Sequence, residues 1–180
     1  HAHIWPPEYI ELRESYGDTD IGLVRLWRSG TTDAEMDERF AAMDAAGVDL
    51  HVLSAAPFVP AYEDESRARE GARCINDCYA AIVEAHPDRF RGFALLPHPH
   101  VDASLEEIER AFDLGLVGVA TSTTVLGKSL VDPWFEPVLS ELDRRGSVLC
   151  IHPAGTGLCS PWINDHGLTW MIGAPFEDTI

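Results

Sequence analysis

The chain has 180 residues, 46% of them apolar and 24% charged, which are globular proportions and unlike those of disordered or collagen-like sequences. Its 30 acidic against 13 basic residues give a formal charge of -17, a field that repels phosphate backbones and anionic headgroups, so nucleic acid is not an expected partner. No stretch approaches the roughly 20 apolar residues of a membrane span, and no basic segment precedes an apolar one as in a secretory leader, so a cytoplasmic protein with one well-filled domain is expected.

Solvated helix faces such as residues 33–38 and 106–109 account for much of the negative charge. The cysteines Cys74, Cys78, Cys150 and Cys159 have neither zinc-ribbon spacing nor the density of a secreted disulfide scaffold. Cys74 and Cys78 stand one helical turn apart and are expected to be buried thiols.

The chain opens on His1-Ala2-His3. Residues two apart in an extended strand project from the same face, so the two imidazoles could chelate a borderline metal such as zinc. The pair alone also fits a tag remnant or a solvated end, and a free amino terminus with histidine third can wrap Cu(II) or Ni(II) in a square-planar nitrogen site.

Further along, residues 32–46 place Met36, Phe40, Met43 and Ala46 at helical intervals, with Thr32 or Asp33 to cap the start and Gly47 to stop the end. Residues 48–54 follow as a short apolar, β-branched strand, with His51 inside it as a hydrogen-bonded core imidazole. The pattern recurs. Residues 67–85 read as a helix closed by His86-Pro87, and 90–96 as a strand closed by Pro97. Residues 102–114 read as a helix stopped by Gly115, and 116–121 as a strand; 134–145 as a helix stopped by Gly146, and 148–152 as a strand closed by Pro153. Each strand is nearly continuously apolar, as expected when both of its faces are covered.

Successive helix-to-strand units with short connections predict a parallel α/β fold, either an open doubly wound sheet or a closed barrel. No Gly-x-Gly-x-x-Gly fingerprint follows any predicted strand, which favours the barrel. A closed (β/α)8 TIM barrel needs eight strands and typically about 250 residues. About five β/α units are legible here, counting a first strand that ends near His1. Residues 1–180 are therefore expected to be the N-terminal part of a single barrel domain.

His152 ends the last of these strands immediately before Pro153, at the carboxyl end where barrels place their active sites. Alone it could be a core histidine; with His1 and His3 it makes a three-nitrogen constellation drawn from two strand ends. His98-Pro99-His100 competes for the metal role. Pro97 and Pro99 stiffen that segment into an extended loop, so a loop role is expected, with His98 at the pocket rim. His86 falls at a helix end and His166 in a polar loop. Trp5, Phe58 and Trp170 fall on segments that open onto the barrel mouth, where aromatic walls shape small-molecule sites. Arg25 or Arg28, after the first strand, could supply a fork for a carboxylate.

Taken together, several segments resemble the amidohydrolase-related proteins of the aminocarboxymuconate-semialdehyde decarboxylase type. His1-Ala2-His3-Ile4-Trp5-Pro6 is similar to that family's first-strand motif. Asn76-Asp77, Pro87-Asp88-Arg89-Phe90 and Leu95-Leu96-Pro97 are similar to its third unit, Gly118-Val119 and Asp132-Pro133 to its fourth, and His152-Pro153 to its fifth-strand ligand. The run from Trp170 through Met171, Ile172, Gly173, Ala174, Pro175, Phe176, Glu177 and Asp178 to Thr179 is similar to the helix entry that follows.

The resemblance implies a metal-dependent (β/α)8 barrel holding one divalent ion, zinc being expected, through His1, His3, His152 and an aspartate after the last strand. It also implies a histidine after the sixth strand as acid or base, and neither of those residues lies within the sequence up to Ile180. The family performs nonoxidative decarboxylation of small unsaturated or aromatic carboxylic acids, and hydrolysis or hydration of related compounds. The segment around Trp170 and Pro175 looks closest to the decarboxylase branch. A metal-dependent hydrolase of a lactone, an amide or a related bond is the alternative, and a catalytically incompetent metal-binding module is another. Homodimers are common in the family.

Overall fold

In the computed structural model, which describes residues 1–154, 163, 165–177 and 179, with Trp170 and Glu177 as backbone only, helices alternate with short parallel strands. Cys159 lies outside the described residues. After the opening segment comes helix α1 (Pro7–Ser15), then a 3-10 segment (Asp20–Trp27). Pro7 suits a first helical position, where its missing N–H costs nothing. The helix buries Tyr9, Ile10 and Arg13 and is tied down by tertiary reach: Tyr9 Oη donates to the Phe58 oxygen at 2.6 Å and Arg13 Nη1 to the Val59 oxygen at 2.9 Å.

Helix α2 (Asp33–Ala46) starts on a capping box in which Thr32 accepts from the Glu35 amide and the Glu35 carboxylate reaches back, and it stops at Gly47 in the left-handed region, φ 64°. Strand β1 (His51–Leu53) follows, shorter than expected. Helix α3 (Glu65–Ala85) is capped by Asp64 and leads to β2 (Phe90–Gly92), then helix α4 (Val101–Asp113) to β3 (Gly118–Ser122). A small antiparallel hairpin of β4 (Thr124–Val125) and β5 (Lys128–Ser129) and a 3-10 turn (Pro133–Phe135) precede α5 (Glu136–Arg145), which Gly146 ends. Strand β6 (Val148–His152) has the predicted limits; a π turn (Thr169–Gly173) and α6 (Ala174–Glu177) complete the described chain. Among the described residues no helix is long and apolar enough to cross a membrane.

The extended segments lie side by side in chain order, all parallel. Ala2 bridges to Leu53, β1 pairs with β2 with His51 opposite Phe90, Ala94 bridges to Val119, and β3 pairs with β6 from Gly118 opposite Val148 to Ser122 opposite His152. Helices cross between each strand and the next, α1 and α2 before β1 and then α3, α4 and α5 in turn, the connection a parallel pair requires. Gly118 permits the closest of these approaches: a Cβ there would stand 2.6 Å from the Val148 oxygen.

The core runs under this sheet, through Ile4, Leu53, Tyr79, Phe90, Leu95, Ile108 and Phe135. Two buried polar side chains in it tie distant segments together. Asn76 accepts from the Leu95 amide at 2.8 Å and donates to the Leu95 oxygen at 2.9 Å and to Glu107 at 2.7 Å, clamping the chain after β2 to α3 and α4. Tyr79 Oη donates to the Ile4 oxygen at 2.7 Å. His51 departs from expectation: it is half-buried, tilted against Phe90, and its buried Nδ1 has no partner among the described residues.

Candidate metal centre

Ala2 is fixed in the sheet by its amide to the Val52 oxygen at 2.9 Å and by the Ser54 amide to its own oxygen at 3.0 Å, so its neighbours His1 and His3 turn together to the opposite side. His152 ends β6, four strand spacings away along the sheet. A flat sheet with strands about 4.8 Å apart would set those ends about 19 Å from each other. Instead the ring centroids of His3 and His152 are 5.3 Å apart, those of His1 and His152 5.8 Å, and those of His1 and His3 4.8 Å. The sheet therefore curls as a barrel wall does, and the imidazoles meet inside its mouth.

In two of the three rings the candidate ligand nitrogen is selected by what holds the ring. His3 Nδ1 lies 2.9 Å from the Ser54 oxygen and His152 Nδ1 lies 2.9 Å from the Pro153 oxygen. A carbonyl oxygen only accepts, so Nδ1 carries the hydrogen in both rings and Nε2 presents its lone pair. Burial lowers the pKa of His3, outweighing the Ser54 hydrogen bond, and electrostatic repulsion from His152, the amino terminus and Arg39 acts the same way. His3 is thus kept in the neutral form that binds metal. The potential ligand atoms of His1, His3 and His152 all lie within 4.8 Å of one another, the one such group of histidine, cysteine or acidic side chains among the described residues. Imidazole nitrogens at this spacing fit a divalent ion of zinc type.

Beside the cluster lies a cavity of about 440 Å³ lined by His3, His152, Trp5, Trp27, Phe58, Pro57, Ser29 and Arg39. Its walls are aromatic: Trp5 stacks on His3, tilts against Trp27 at 5.3 Å between centroids, and meets Phe58 edge-on at 6.2 Å. Trp5 and Phe58 are thus where the sequence places them. Trp170 lies in the π turn, and its side chain is outside the described residues.

Arg25 and Arg28 do not line this cavity. Both are exposed and held by carboxylates, Arg25 by Glu14 and Arg28 by Glu38, which draw them onto the outer surface of the 3-10 segment. The cation at the cavity is Arg39 of α2, whose Nη2 donates to the His3 oxygen at 2.9 Å. Sequence reasoning missed it because Glu35 and Arg39 have the spacing of an ordinary ion pair on a solvated helix face. Trp27 and Ser29 were missed because the 3-10 segment has no period to mark it. His98 is not at a rim: it is fully buried, sharing a hydrogen bond with Thr121 Oγ1 at 3.2 Å and packed on Phe135 at 5.2 Å. His100 has the loop role expected, with Nε2 2.9 Å from the Tyr62 oxygen.

The family model described as amidohydrolase matches residues 1–177. The chain belongs to the amidohydrolase family, and its fold is that of the family's (β/α) barrels. It is 30% identical to the 2-amino-3-carboxymuconate-6-semialdehyde decarboxylase of Dictyostelium discoideum over 98% of this chain and 54% of that protein. It superposes on the 5-carboxyvanillate decarboxylase of Sphingomonas paucimobilis with a TM-score of 0.76 at 29% identity, covering 98% of this chain and 58% of the other. A dihydroxybenzoic acid decarboxylase from a Polaromonas species, with bound manganese and the inhibitor 2-nitroresorcinol, superposes with a TM-score of 0.71 at 29% identity over 94% of this chain and 52% of that one. The chain spans about half the length of the relatives it matches.

Proposed function

We propose that this chain carries the first half of the active site of a metal-dependent decarboxylase acting on a small aromatic carboxylic acid. The observation that carries the proposal is the convergence of His1, His3 and His152 beside an aromatic-walled cavity. These histidines would hold one divalent ion through nitrogen donors. Zinc is proposed because its borderline character suits imidazole; the Polaromonas relative holds manganese. The ion, when bound, supplies Lewis acidity toward a substrate carboxylate or ring oxygen.

The residues of this chain do the rest of what is asked of them. Trp5 and Phe58 form flat apolar walls that take a planar ring and keep water from it, and Trp170 is proposed as a third wall on the resemblance of its segment. The Ser54 and Pro153 carbonyls hold the ligand rings in the tautomer that coordinates. Residues 1–180 are proposed as the N-terminal part of one barrel domain, with an aspartate ligand and an acid-base histidine supplied from outside them. A cytoplasmic location and a homodimer complete the proposal.

The test is carbon dioxide release by the complete, metal-loaded protein given 2,6-dihydroxybenzoate, 5-carboxyvanillate and related acids. Release from at least one of them is expected. Turnover of lactones or amides with no carbon dioxide from any acid would replace the decarboxylase by a hydrolase.

A further inference from the structure

We propose that Arg39 is the anion anchor of the cavity, pairing its guanidinium with the carboxylate of the substrate, a role that rests on the aromatic-acid function proposed above.

Arg39 is half-buried at the cavity wall, and its one hydrogen bond among the described residues is from Nη2 to the His3 oxygen at 2.9 Å. A guanidinium has five N–H donors in a planar fork, so most of its capacity remains open. Among the described residues it forms no ion pair, whereas Arg13, Arg25 and Arg28 each hold a carboxylate. The acid best placed to neutralise it is Glu35, one helical turn earlier. Glu35 is turned away: its carboxylate accepts from the Gly30 amide at 3.1 Å, from the Thr32 amide at 3.2 Å and from Thr32 Oγ1 at 2.5 Å. The capping box of α2 thus takes up the counterion that Arg39 would otherwise have.

A partly desolvated cation without a carboxylate partner is costly. The cost is offset when an anion enters. Here the anion must be small and flat, because Trp5, Trp27 and Phe58 form the other walls, and a carboxylate matches the guanidinium fork with two parallel hydrogen bonds. In a chain of formal charge -17, this guanidinium at the wall also makes the cavity attractive to an acid. Because Arg39 is bonded to the backbone of His3, the anion site and the candidate metal site adjoin, and one substrate can touch both.

The experiment uses the complete metal-loaded protein and two probes of the same shape, 2-hydroxybenzoate and its uncharged amide, 2-hydroxybenzamide. Calorimetric affinities are measured for the wild type, Arg39→Gln and Arg39→Lys, each with its metal content determined. Arg39→Gln is expected to weaken 2-hydroxybenzoate on the order of 10-fold or more while 2-hydroxybenzamide changes less than about 3-fold. Arg39→Lys, which keeps the charge without the fork, is expected to fall between them, and it remains informative if the Gln variant loses metal or fails to fold. Equal weakening of both probes, or unchanged binding of the acid in both variants, would overturn the assignment. A wild type that binds neither probe would overturn it together with the aromatic-acid function, whereas a wild type that binds the acid as tightly as Arg39→Gln does would remove Arg39 alone.

Discussion

The indole of Trp5 lies on the imidazole of His3, with ring centroids 5.0 Å apart and planes 9° from parallel, and its Nε1 donates to the Ala55 oxygen at 3.1 Å. The stack fixes the plane of one candidate ligand, while the hydrogen bond fixes the indole on the segment after β1. Trp5→Phe keeps an aromatic face but removes one of the two hydrogen bonds to the buried Ala55 carbonyl, which still accepts from the Phe58 amide at 3.0 Å. It is expected to lower stability by about 0.5–1.5 kcal/mol, read from urea midpoints. Metal affinity, read by competition with a chelator, is expected to weaken about 10-fold, as for other partners that orient ligands. A variant equal to the wild type in both respects would show that Trp5 only lines the cavity.

His98 makes stability depend on pH in a definite direction. Burial, and then the charge of His100, lower its pKa from 6.5 to about 3. The groups facing it are Thr121 of β3 and the rings of Trp134 and Phe135, with Lys128 over the far ring at 5.6 Å, and none of them supplies a negative charge. Below pH 6.5 the unfolded chain takes up a proton at this residue that the folded chain refuses. The contribution is therefore complete above pH 6.5 and is lost as the pH falls from there toward 3, at about 1.4 kcal/mol per pH unit. Urea midpoints between pH 4 and 7 should show this slope in the wild type and a shallower one in His98→Gln. Parallel profiles would mean that the acid sensitivity comes from other groups.

Much of the barrel is legible because its elements carry local punctuation. Thr32 with Glu35 marks the start of α2, and Gly47 and Gly146 mark helix ends in the left-handed conformation that glycine adopts without strain. Strand β6 is readable to the residue because an unbroken apolar run ends at His152-Pro153. Helix α1 is not readable, since it is held by long-range bonds from Tyr9 and Arg13 and has no apolar stripe of its own. The same holds at the site. Histidines at strand ends announce themselves, so the candidate ligand set is legible. The cation is not, because whether Arg25, Arg28 or Arg39 faces the cavity depends on which carboxylates have already been taken, by Arg25 and Arg28 outside and by the capping box at Glu35. His98 illustrates the opposite error: a His-Pro-His motif after a strand looks like chemistry, yet Thr121 and Phe135 enclose its first ring in the core.

The most direct measurement is an anomalous difference map, recorded at the absorption edge of the bound metal, from crystals of the complete protein. One peak is expected, at about 2.0–2.3 Å from the Nε2 atoms of His3 and His152 and beside His1. A peak at His100, or one chelated only by the terminal amine and His3 with His152 turned away, would contradict a shared centre built from the first and fifth strands.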